Sequence, residues 1–495
     1  MTKWNRSHAL VNLAALLIAS TQLAFGAPEA SVHTNSVRTY MNFAKEIDPA
    51  HILTMADLEL SVALSTPLVV FNNERQVVSG LAESWTVLPP DRVSFTLRKR
   101  LQWSDGSPVS STEYKAALDR AKGLYESELK ALFDSVVRIE APDERTLVFV
   151  TKGPAAESGL LLKLTEPMYG LVALKDGTLD LSKTVGPFFV KNLNDGTLTL
   201  DANKHWYAYA KEMPAVVEIK HPKEGADLMA SFYKDEWPNL TSGSSLISKD
   251  VLEQLKRSGF KTWQRSLDKV FSLYPSKRFL KDGGTNFIKL LAKRIDCAKL
   301  MKGLTGYADA EQFFPRGYEL YSSRKPVVEA PHSWHGKRPL TLLLVDNPAL
   351  AGMREELTKV MRETSGEPVK VEVIPTSKIG ERMKRGDFDI LGAQIAVADP
   401  NFEGAMSFFI EKDPPVIPSG EGAEDFAAQL RAARGLPISA ERAARMREII
   451  IRAQELGHVL PIFHFSSLAI AKPGIDLSAI PNTDETILFS KVRMR

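Results

Sequence analysis

The stretch LQWSDGSPVSSTEY, residues 101–114, gathers the hydroxyl groups and the carboxylate that a hydrolytic site would need. The same residues also fit a connection between two elements. The Asp-Gly pair is typical of a turn, and Ser110 with Glu113 has the spacing of a helix capping box. Trp103 continues the apolar face of the strand before the turn. We therefore interpret the stretch as strand, turn and helix, with Trp103 in the core.

A second pattern, Ser266-Leu267-Asp268-Lys269, has the SxxK spacing of the penicillin-recognising enzymes. The companion motifs of those enzymes are absent, and so short a pattern arises easily by chance. The sequence also lacks a GxSxG elbow, HExxH, CxxC, a Walker loop and GxGxxG. We therefore expect no catalytic residue, no cofactor and no metal.

The histidines offer a further possibility for chemistry. His332 and His335 lie three residues apart and would seat a metal ion if they stood on a helix. They stand between Pro331 and Pro339, so a solvated loop is favoured. His464, within PIFHF, is expected to be a strand residue near the surface and not a catalytic base.

Asp399 is a carboxylate in apolar surroundings, within ILGAQIAVADPNFEGAMSFF. It follows an apolar strand, and the ligand clefts of α/β sheets form at the carboxyl ends of strands. The alternative is an Asp-Pro turn whose carboxylate accepts hydrogen bonds from local backbone amides, and this interpretation is favoured. Both interpretations stay open from the residues alone.

The composition indicates an ordinary globular chain. It has 495 residues, 44% hydrophobic and 25% charged, with a formal net charge of +3. Its length predicts roughly two to four domains, and its charge requires neither a nucleic acid nor an acidic membrane as partner. Cys297 is the single cysteine of the sequence, which excludes an internal disulfide. Its helical surroundings predict a small, buried apolar side chain.

The N-terminal residues have the pattern of a secretory signal peptide. Lys3 and Arg6 precede an apolar run over residues 9–19, and small residues stand before a cleavage point at Ala27. The run is shorter than the ~20 residues that a membrane-spanning helix needs. We expect residues 1–26 to be removed and the mature protein to be periplasmic.

The elements after this leader alternate between helices and strands. Periodicity predicts helices beginning at 110 and over 55–65, 286–300, 347–365, 379–384, 423–434 and 440–456. Strands are predicted over 93–97, 136–139, 146–150, 188–193, 197–200, 216–219, 339–345, 369–374, 388–395, 459–465 and 468–471. The strand and helix alternation from residue 339 implies a mixed or parallel sheet with helices on its faces. The chain is thus expected to hold at least two α/β blocks, the second beginning near residue 280.

Several stretches together resemble the family 5 extracellular solute-binding proteins, the oligopeptide- and dipeptide-binding components of ABC importers. The resemblance is carried by LAESW at 81–85, WSDGSP at 103–108, GPF at 186–188, NKHWY at 203–207, ID at 295–296, FPRG at 314–317, GDFD at 386–389 and VLPIF at 459–463. Their common order along the chain is far more specific than any single match.

The resemblance implies an α/β, two-lobed periplasmic binding protein of the class II type, with three domains and mixed β-sheets. Domain I would comprise residues 27–66, 186–279 and 472–495, domain II residues 67–185, and domain III, the second lobe, residues 280–471. The ligand would lie between the lobes, and hinge bending would close them on it.

In the peptide-binding members of this family, an aspartate within D-Y-x-D-P binds the ammonium group of the ligand. Matching Asp399 and Pro400 to the Asp-Pro pair places Ala396 and Val397 at the Asp-Tyr positions, so the ammonium partner would be missing. Sliding the chain to put Asp399 first restores the charge but loses the Asp-Pro match. We favour the first register, which predicts that blocked or non-peptide ligands bind at least as well as free peptides. Ala396, Val397, Asp399 and Phe402 are the predicted ligand contacts.

These observations predict a monomeric periplasmic substrate-binding protein that captures small peptide-like ligands and delivers them to an ABC permease in the inner membrane. It would bind no nucleic acid and catalyse no reaction. One alternative is a relative that has lost transport and acts as a sensor or chaperone, as the altered cleft positions suggest. An exported hydrolase is a further alternative, which the absence of catalytic motifs disfavours.

Overall fold

The computed structural model describes residues 35–495 except for 44–46, 51, 53–54, 73–75, 125–132, 134, 155–158, 195, 223–231, 233–236, 317, 319, 347–349, 376–377, 397–427, 431, 434–435, 437–439 and 481–486. Its strands are β1 (Ser36–Tyr40), β2 (Val69–Phe71), β3 (Val77–Ser79), β4 (Ala82–Leu88), β5 (Arg92–Leu97), β6 (Val136–Asp143), β7 (Thr146–Thr151), β8 (Val172–Lys175), β9 (Thr178–Thr184), β10 (Phe188–Asn194), β11 (Thr197–Ala202), β12 (Val216–Lys220), β13 (Leu240–Ser244), β14 (Lys261–Gln264), β15 (Lys269–Pro275), β16 (Tyr307–Asp309), β17 (Leu340–Val345), β18 (Val369–Ile374), β19 (Ile390–Ala396), β20 (Leu460–Phe465), β21 (Ser467–Ala471), β22 (Ile475–Asp476) and β23 (Arg493–Met494).

The helices punctuate these strands. They are α1 (Met55–Leu64), α2 (Ser111–Leu124), α3 (Leu160–Lys163), α4 (Lys249–Arg257), α5 (Lys277–Lys281), α6 (Gly284–Arg294), α7 (Cys297–Leu300), α8 (Ala351–Ser365), α9 (Ile379–Arg385) and α10 (Ala440–Leu456), with 3₁₀ turns at Pro167–Tyr169 and Phe489–Lys491. In the part of the chain that the structure describes, no helix has both the length and the apolar character to cross a bilayer.

Residues 68–185 build a core of their own. Its sheet has the order β4-β5-β7-β6 and is antiparallel throughout. Strict alternation along β5 turns Phe95 inward, where its ring meets that of Phe149 edge-on at 5.5 Å between centroids. Helix α2 covers this face with Tyr114 and Leu118, which are buried. Burying an aromatic or leucine side chain contributes about 1.5–3 kcal/mol, so this segment has its own source of stability.

The stretch at 101–114 is the predicted connection into α2. The backbone N–H of Ser110 donates to Glu113 Oε2 at 2.8 Å, and the N–H of Glu113 donates to Ser110 Oγ at 3.3 Å, which is a capping box. Gly106 has φ +83°, as the turn requires. Trp103 is 1% exposed. The interpretation as a structural connection is confirmed.

The same connection also contacts the end of this core at Thr184 and the part of the chain that follows it. The N–H of Ser104 donates to the carbonyl of Thr184 at 2.9 Å, and Gln102 Oε1 lies 3.2 Å from His205 Nδ1. Close packing is needed at Gly186, since a Cβ there would stand 2.5 Å from the carbonyl carbon of Leu64. The chain therefore enters and leaves residues 68–185 at neighbouring points.

Two further sheets share a second core. The order β1-β12-β11-β10 forms one of them, and β13-β21-β14 forms the other. Leu200 and Val217 from the first sheet lie in one apolar cluster with Trp263 and Ala469 from the second. Helix α1 contributes Leu60 to this cluster. Together with residues 68–185 and α4, these sheets are called the first lobe below.

The second lobe is organised around a six-stranded mixed sheet of order β16-β20-β15-β19-β17-β18. Strand β17 runs parallel to both β18 and β19, as the strand and helix alternation predicted. Both faces are apolar: along β15, Tyr274 packs toward Met446 of α10, and Phe271 packs toward Phe287 and Leu357 of α6 and α8. A sheet covered by helices on both sides is the α/β arrangement.

The prediction of a single helix over 286–300 was wrong, because the chain forms two helices there, α6 and α7. The side chain of Asp296 accepts a hydrogen bond from the N–H of Lys299 at 3.2 Å and caps α7 after α6 has ended. The predicted start of a helix at Asn347 and most of the helix over 423–434 lie outside the described residues. Helix α8 ends at Ser365, as predicted for the helix over 347–365, and Gly366 follows it with φ +71°.

The chain crosses between the lobes twice near their contact. Residues 265–268 join β14 of the first lobe to β15 of the second, and Ser466 joins β20 back to β21. These two stretches are called the crossing segments. The domain limits drawn from the sequence stay a prediction. We propose moving two of them, from residue 279 to residues 265–268 and from residue 471 to Ser466, since each sheet then keeps all of its strands.

Candidate functional site

The crossing segments continue the strand pairing from one lobe into the other with unequal lengths. Gln264 is paired with Leu468 in the first lobe, and Lys269 is paired with Phe465 in the second. Residues 265–268 of one segment therefore lie opposite only residues 466–467 of the other. The N–H of Asp268 still donates to the carbonyl of Phe465, at 3.1 Å. The two additional residues form a bulge, a feature that redirects side chains and is frequent near binding sites.

An ion pair lies inside this bulge. Arg265 donates to the carboxylate of Asp268, and the two side chains are only 3% and 0% exposed. Removing one partner of so buried a pair would leave an uncompensated charge, which is strongly destabilising. The pair therefore fixes the conformation of the longer crossing segment.

Lys269 follows this pair and is a second cationic group at the junction of the lobes, partly exposed where Arg265 is buried. Its Nζ donates to Ser467 Oγ at 2.7 Å and lies 5.9 Å from the ring centroid of Phe465. Burial lowers the pKa of Lys269; the carboxylate of Asp268 opposes this, Arg265 adds to it, and the carboxylate of Glu59 opposes it. Glu59 belongs to α1, so a carboxylate of the first lobe acts on a lysine at the edge of the second.

One of the sequence-predicted ligand contacts, Ala396, lies beside this lysine in the strand pairing. Ala396 is the last residue of β19, and its backbone is paired with Lys269. The carboxyl end of β19 is therefore at the lobe junction, where an α/β sheet forms its ligand cleft. Val397, Asp399 and Phe402 lie outside the described residues, and their contact with ligand stays a prediction.

Sequence reasoning did not assign a binding role to Lys269, which it met as part of the SxxK match. In the structure that match spans a crossing segment, with Ser266 exposed and Lys269 beginning a strand. The sequence signal that could have indicated this role is a lysine at the start of the mostly apolar strand KVFSLYP. A charged group at the start of a strand buried on both faces needs either an ion partner or a ligand.

The remaining candidates have structural roles or none. His464 is a strand residue as predicted, but its expected place near the surface was wrong: it is 4% exposed, and its Nε2 lies 3.2 Å from the carbonyl oxygen of Phe313. Burial lowers the pKa of His464. His332 and His335 lie in an irregular segment, as favoured. Among the described residues, no group of three or more His, Cys, Asp and Glu side chains has the arrangement of a metal site.

Cys297 is buried, as predicted, and burial raises the pKa of its thiol well above the usual range. It lies on a cavity of about 270 Å³ within the second lobe, together with Lys289 and Asp309. This cavity is lined by residues of the second lobe alone and is separate from the lobe junction.

Comparison with known families finds a match in the first lobe. Residues 76–236 match the family described as bacterial extracellular solute-binding proteins, family 5 middle. A Brucella ovis protein whose name places it among ABC transporter peptide-binding proteins is 33% identical over 92 residues, which are 18% of this chain and 17% of the relative. The periplasmic murein peptide-binding protein MppA of Escherichia coli is 28% identical over 109 residues, 21% of this chain and 20% of MppA. The matched segments thus span about a fifth or less of these relatives.

Solved structures resemble the chain over nearly its whole length. NikA from Brucella suis, in complex with Fe(III)-EDTA, has a TM-score of 0.78 at 18% identity, covering 93% of this chain and 100% of NikA. Haemophilus influenzae OppA, in complex with the peptide RPPGFSPFR, has a TM-score of 0.70 at 14% identity, covering 94% and 99%. The predicted fold class, an α/β two-lobed binding protein with mixed sheets, is confirmed, as is the resemblance to family 5.

Proposed function

We propose that this chain, which has the middle segment and the fold of the family 5 extracellular solute-binding proteins, captures a peptide-like ligand between its two lobes and presents it to an ABC permease. The observation that carries this proposal is the double crossing between a six-stranded and a three-stranded sheet. Two short connections leave the lobes free to rotate about them, so that a ligand in contact with both lobes favours the closed state.

The ligand class is supported by the names of the similar proteins. The Brucella ovis and Escherichia coli relatives are named for peptides, and the OppA structure holds a peptide. NikA holds an iron chelate, so this fold also accommodates ligands that are not peptides. A peptide-like ligand agrees with both the segment match and the fold.

The location and partners follow from this function. The leader at residues 1–26 would export the chain to the periplasm, where MppA is found according to its name. The protein would work as a monomer without a nucleic-acid partner, since its ligand would be enclosed by the two lobes of a single chain. It would bind and release without altering the ligand, as a substrate-binding protein does.

Native mass spectrometry of the protein isolated from its own periplasm tests this proposal. We expect an additional mass of a small solute, and the identified solute should raise the midpoint of thermal unfolding. At a ligand concentration 100-fold above Kd, the stabilisation is about 2.7 kcal/mol. A chemically changed solute after incubation would indicate a hydrolase. A stable protein partner with no bound solute would indicate a sensor or chaperone.

A further inference from the structure

The charge balance at the lobe junction is the starting point. Lys269 donates one described hydrogen bond, to the hydroxyl of Ser467, although an ammonium group has three protons to donate. The neighbouring carboxylate of Asp268 is held by Arg265. The described hydrogen bond of Lys269 thus goes to a neutral acceptor, while the adjacent carboxylate of Asp268 is engaged by Arg265.

The position of Lys269 makes it accessible to a molecule between the lobes. It is partly exposed, whereas Arg265 and Asp268 are buried. Its backbone is paired on one side with Phe465 and on the other with Ala396, the last residue of β19. The lysine thus lies at the carboxyl edge of the sheet, the edge on which ligands of α/β sheets are bound.

We propose that Lys269 is the anion-recognising residue of the ligand site and that the ligand presents a carboxylate to it. A partly buried ammonium gains most from a charged acceptor, since such hydrogen bonds are about twice as strong as those between neutral groups. The Ser467 hydroxyl holds the lysine side chain in place and leaves its other protons for the ligand. Phe465 provides an apolar wall beside the charge. This inference rests on the proposed function and narrows its ligand class.

The charge of Lys269 gives the site a means of discrimination. Its ammonium donates to the neutral hydroxyl of Ser467, so a ligand carboxylate would provide a charged hydrogen-bond acceptor. A neutral group at the same place would desolvate the lysine without adding a charged acceptor, and a cationic group would repel it. The lobe junction therefore selects for an acid and against its amide.

Two matched pools of peptides test the proposal. One pool contains N-acetylated tripeptides of mixed sequence with free carboxyl termini, and the second contains the same sequences as carboxyl-terminal amides. Native mass spectrometry of the full chain records which members are bound. We expect the acids to be captured at least 10-fold more than the amides. Equal capture of both pools would overturn the role of Lys269 while leaving the proposed function intact, whereas capture of neither pool would contradict the proposed function itself.

Variants connect the selectivity to the residue. Lys269→Met should abolish the preference for acids, Lys269→Arg should retain it, and Glu59→Gln should increase the capture of acids because a competing carboxylate is removed. Lys261→Met, at an exposed lysine of β14, is the matched control and should behave as the unmodified protein. An unchanged preference in a folded Lys269→Met protein would overturn the proposal. If Lys269→Met does not fold, an unchanged preference for acids in a folded Lys269→Gln protein would overturn it equally.

Discussion

The strand pair β15 and β19 carries a charged group at each of its ends, and the two ends are built differently. At the amino end of β19, Asp389 is fully buried and accepts hydrogen bonds from Arg338, Arg278 and the N–H of Thr341 at 2.7–2.9 Å. At the carboxyl end, Lys269 is partly exposed and donates one described hydrogen bond, to a neutral hydroxyl. The first end holds the sheet together. At the second end, the Lys269 ammonium has one hydrogen bond among the described residues, so it has protons to donate to a ligand between the lobes.

This difference explains why one charged group in a sheet stabilises the fold while another is available to bind a ligand. A buried carboxylate surrounded by donors contributes to stability because removing it leaves its partners unsatisfied. A partly exposed lysine whose described hydrogen bond goes to a neutral hydroxyl contributes little to the fold and retains affinity for an anion. The structural end differs from the binding end in how many hydrogen bonds the charged group makes to its neighbours, and not in burial alone.

Removing the carboxylate at the structural end should have the largest effect. Asp389→Ala would leave two arginines facing an empty position beneath β17, and we expect the free energy of unfolding to fall by about 3–5 kcal/mol. Urea denaturation measures this loss. Asp282→Ala, which removes the other and more exposed partner of Arg338, serves as the control and should cost no more than about 1 kcal/mol. Equal losses in the two variants would contradict the comparison.

Acid should weaken the same end. Burial raises the pKa of Asp389, but the hydrogen bonds from Arg338, Thr341 and Arg278 outweigh burial and lower the pKa below its usual value. Since the pKa is lower in the folded state, the stabilisation is complete above the unfolded value of about 3.9 and is lost as the pH falls through the folded value.

The corresponding measurement is the stability difference between the unmodified protein and Asp389→Asn over a pH series from 7 to 3. We expect this difference to be constant near neutrality and to shrink below pH ~4 as the carboxylate is protonated. A difference that grows with acidity would show that Asp389 is not stabilised as an anion.

The binding end should respond least in stability. Lys269→Met removes a desolvated charge and keeps the apolar stem, so the free energy of unfolding should change by no more than about 1 kcal/mol, the scale of the lost Ser467 hydrogen bond. Urea denaturation beside the Lys261→Met control measures it. A loss above about 3 kcal/mol would place Lys269 with Asp389 as a structural charge and would remove the distinction between the two ends.

Local sequence patterns predicted much of the fold because they encode local physics. The capping box at Ser110, the helix end at Gly366 and the alternation along β5 each depend on neighbours within a few residues, and each was confirmed. The break between α6 and α7 was missed because the apolar spacing continues across Asp296, whose side chain nevertheless starts a new helix. Spacing alone does not distinguish a helix residue from a cap.

The candidate site was less accessible to sequence reasoning because it depends on partners far apart in the chain. Lys269, Ser467 and Ala396 come from three separate segments, and their proximity is a product of the sheet order. The carboxyl end of β19 could be proposed as a place for ligand from the sequence, since that argument needs only the order of strand and loop. The lysine beside it was not, because pairing between β15 and β19 spans more than 100 residues.

The close approach at Gly186 bears on the ancestry of the chain. Because the polypeptide leaves the second core of the first lobe near Leu64 and returns to it at Gly186, close to the backbone of Leu64, residues 68–185 have neighbouring ends and a core of their own. Such a unit can be gained, lost or exchanged between proteins without rethreading the remaining chain. In evolutionary terms, the segment is an insertion. Replacing it with a short linker should leave the two crossing segments and Lys269 in place.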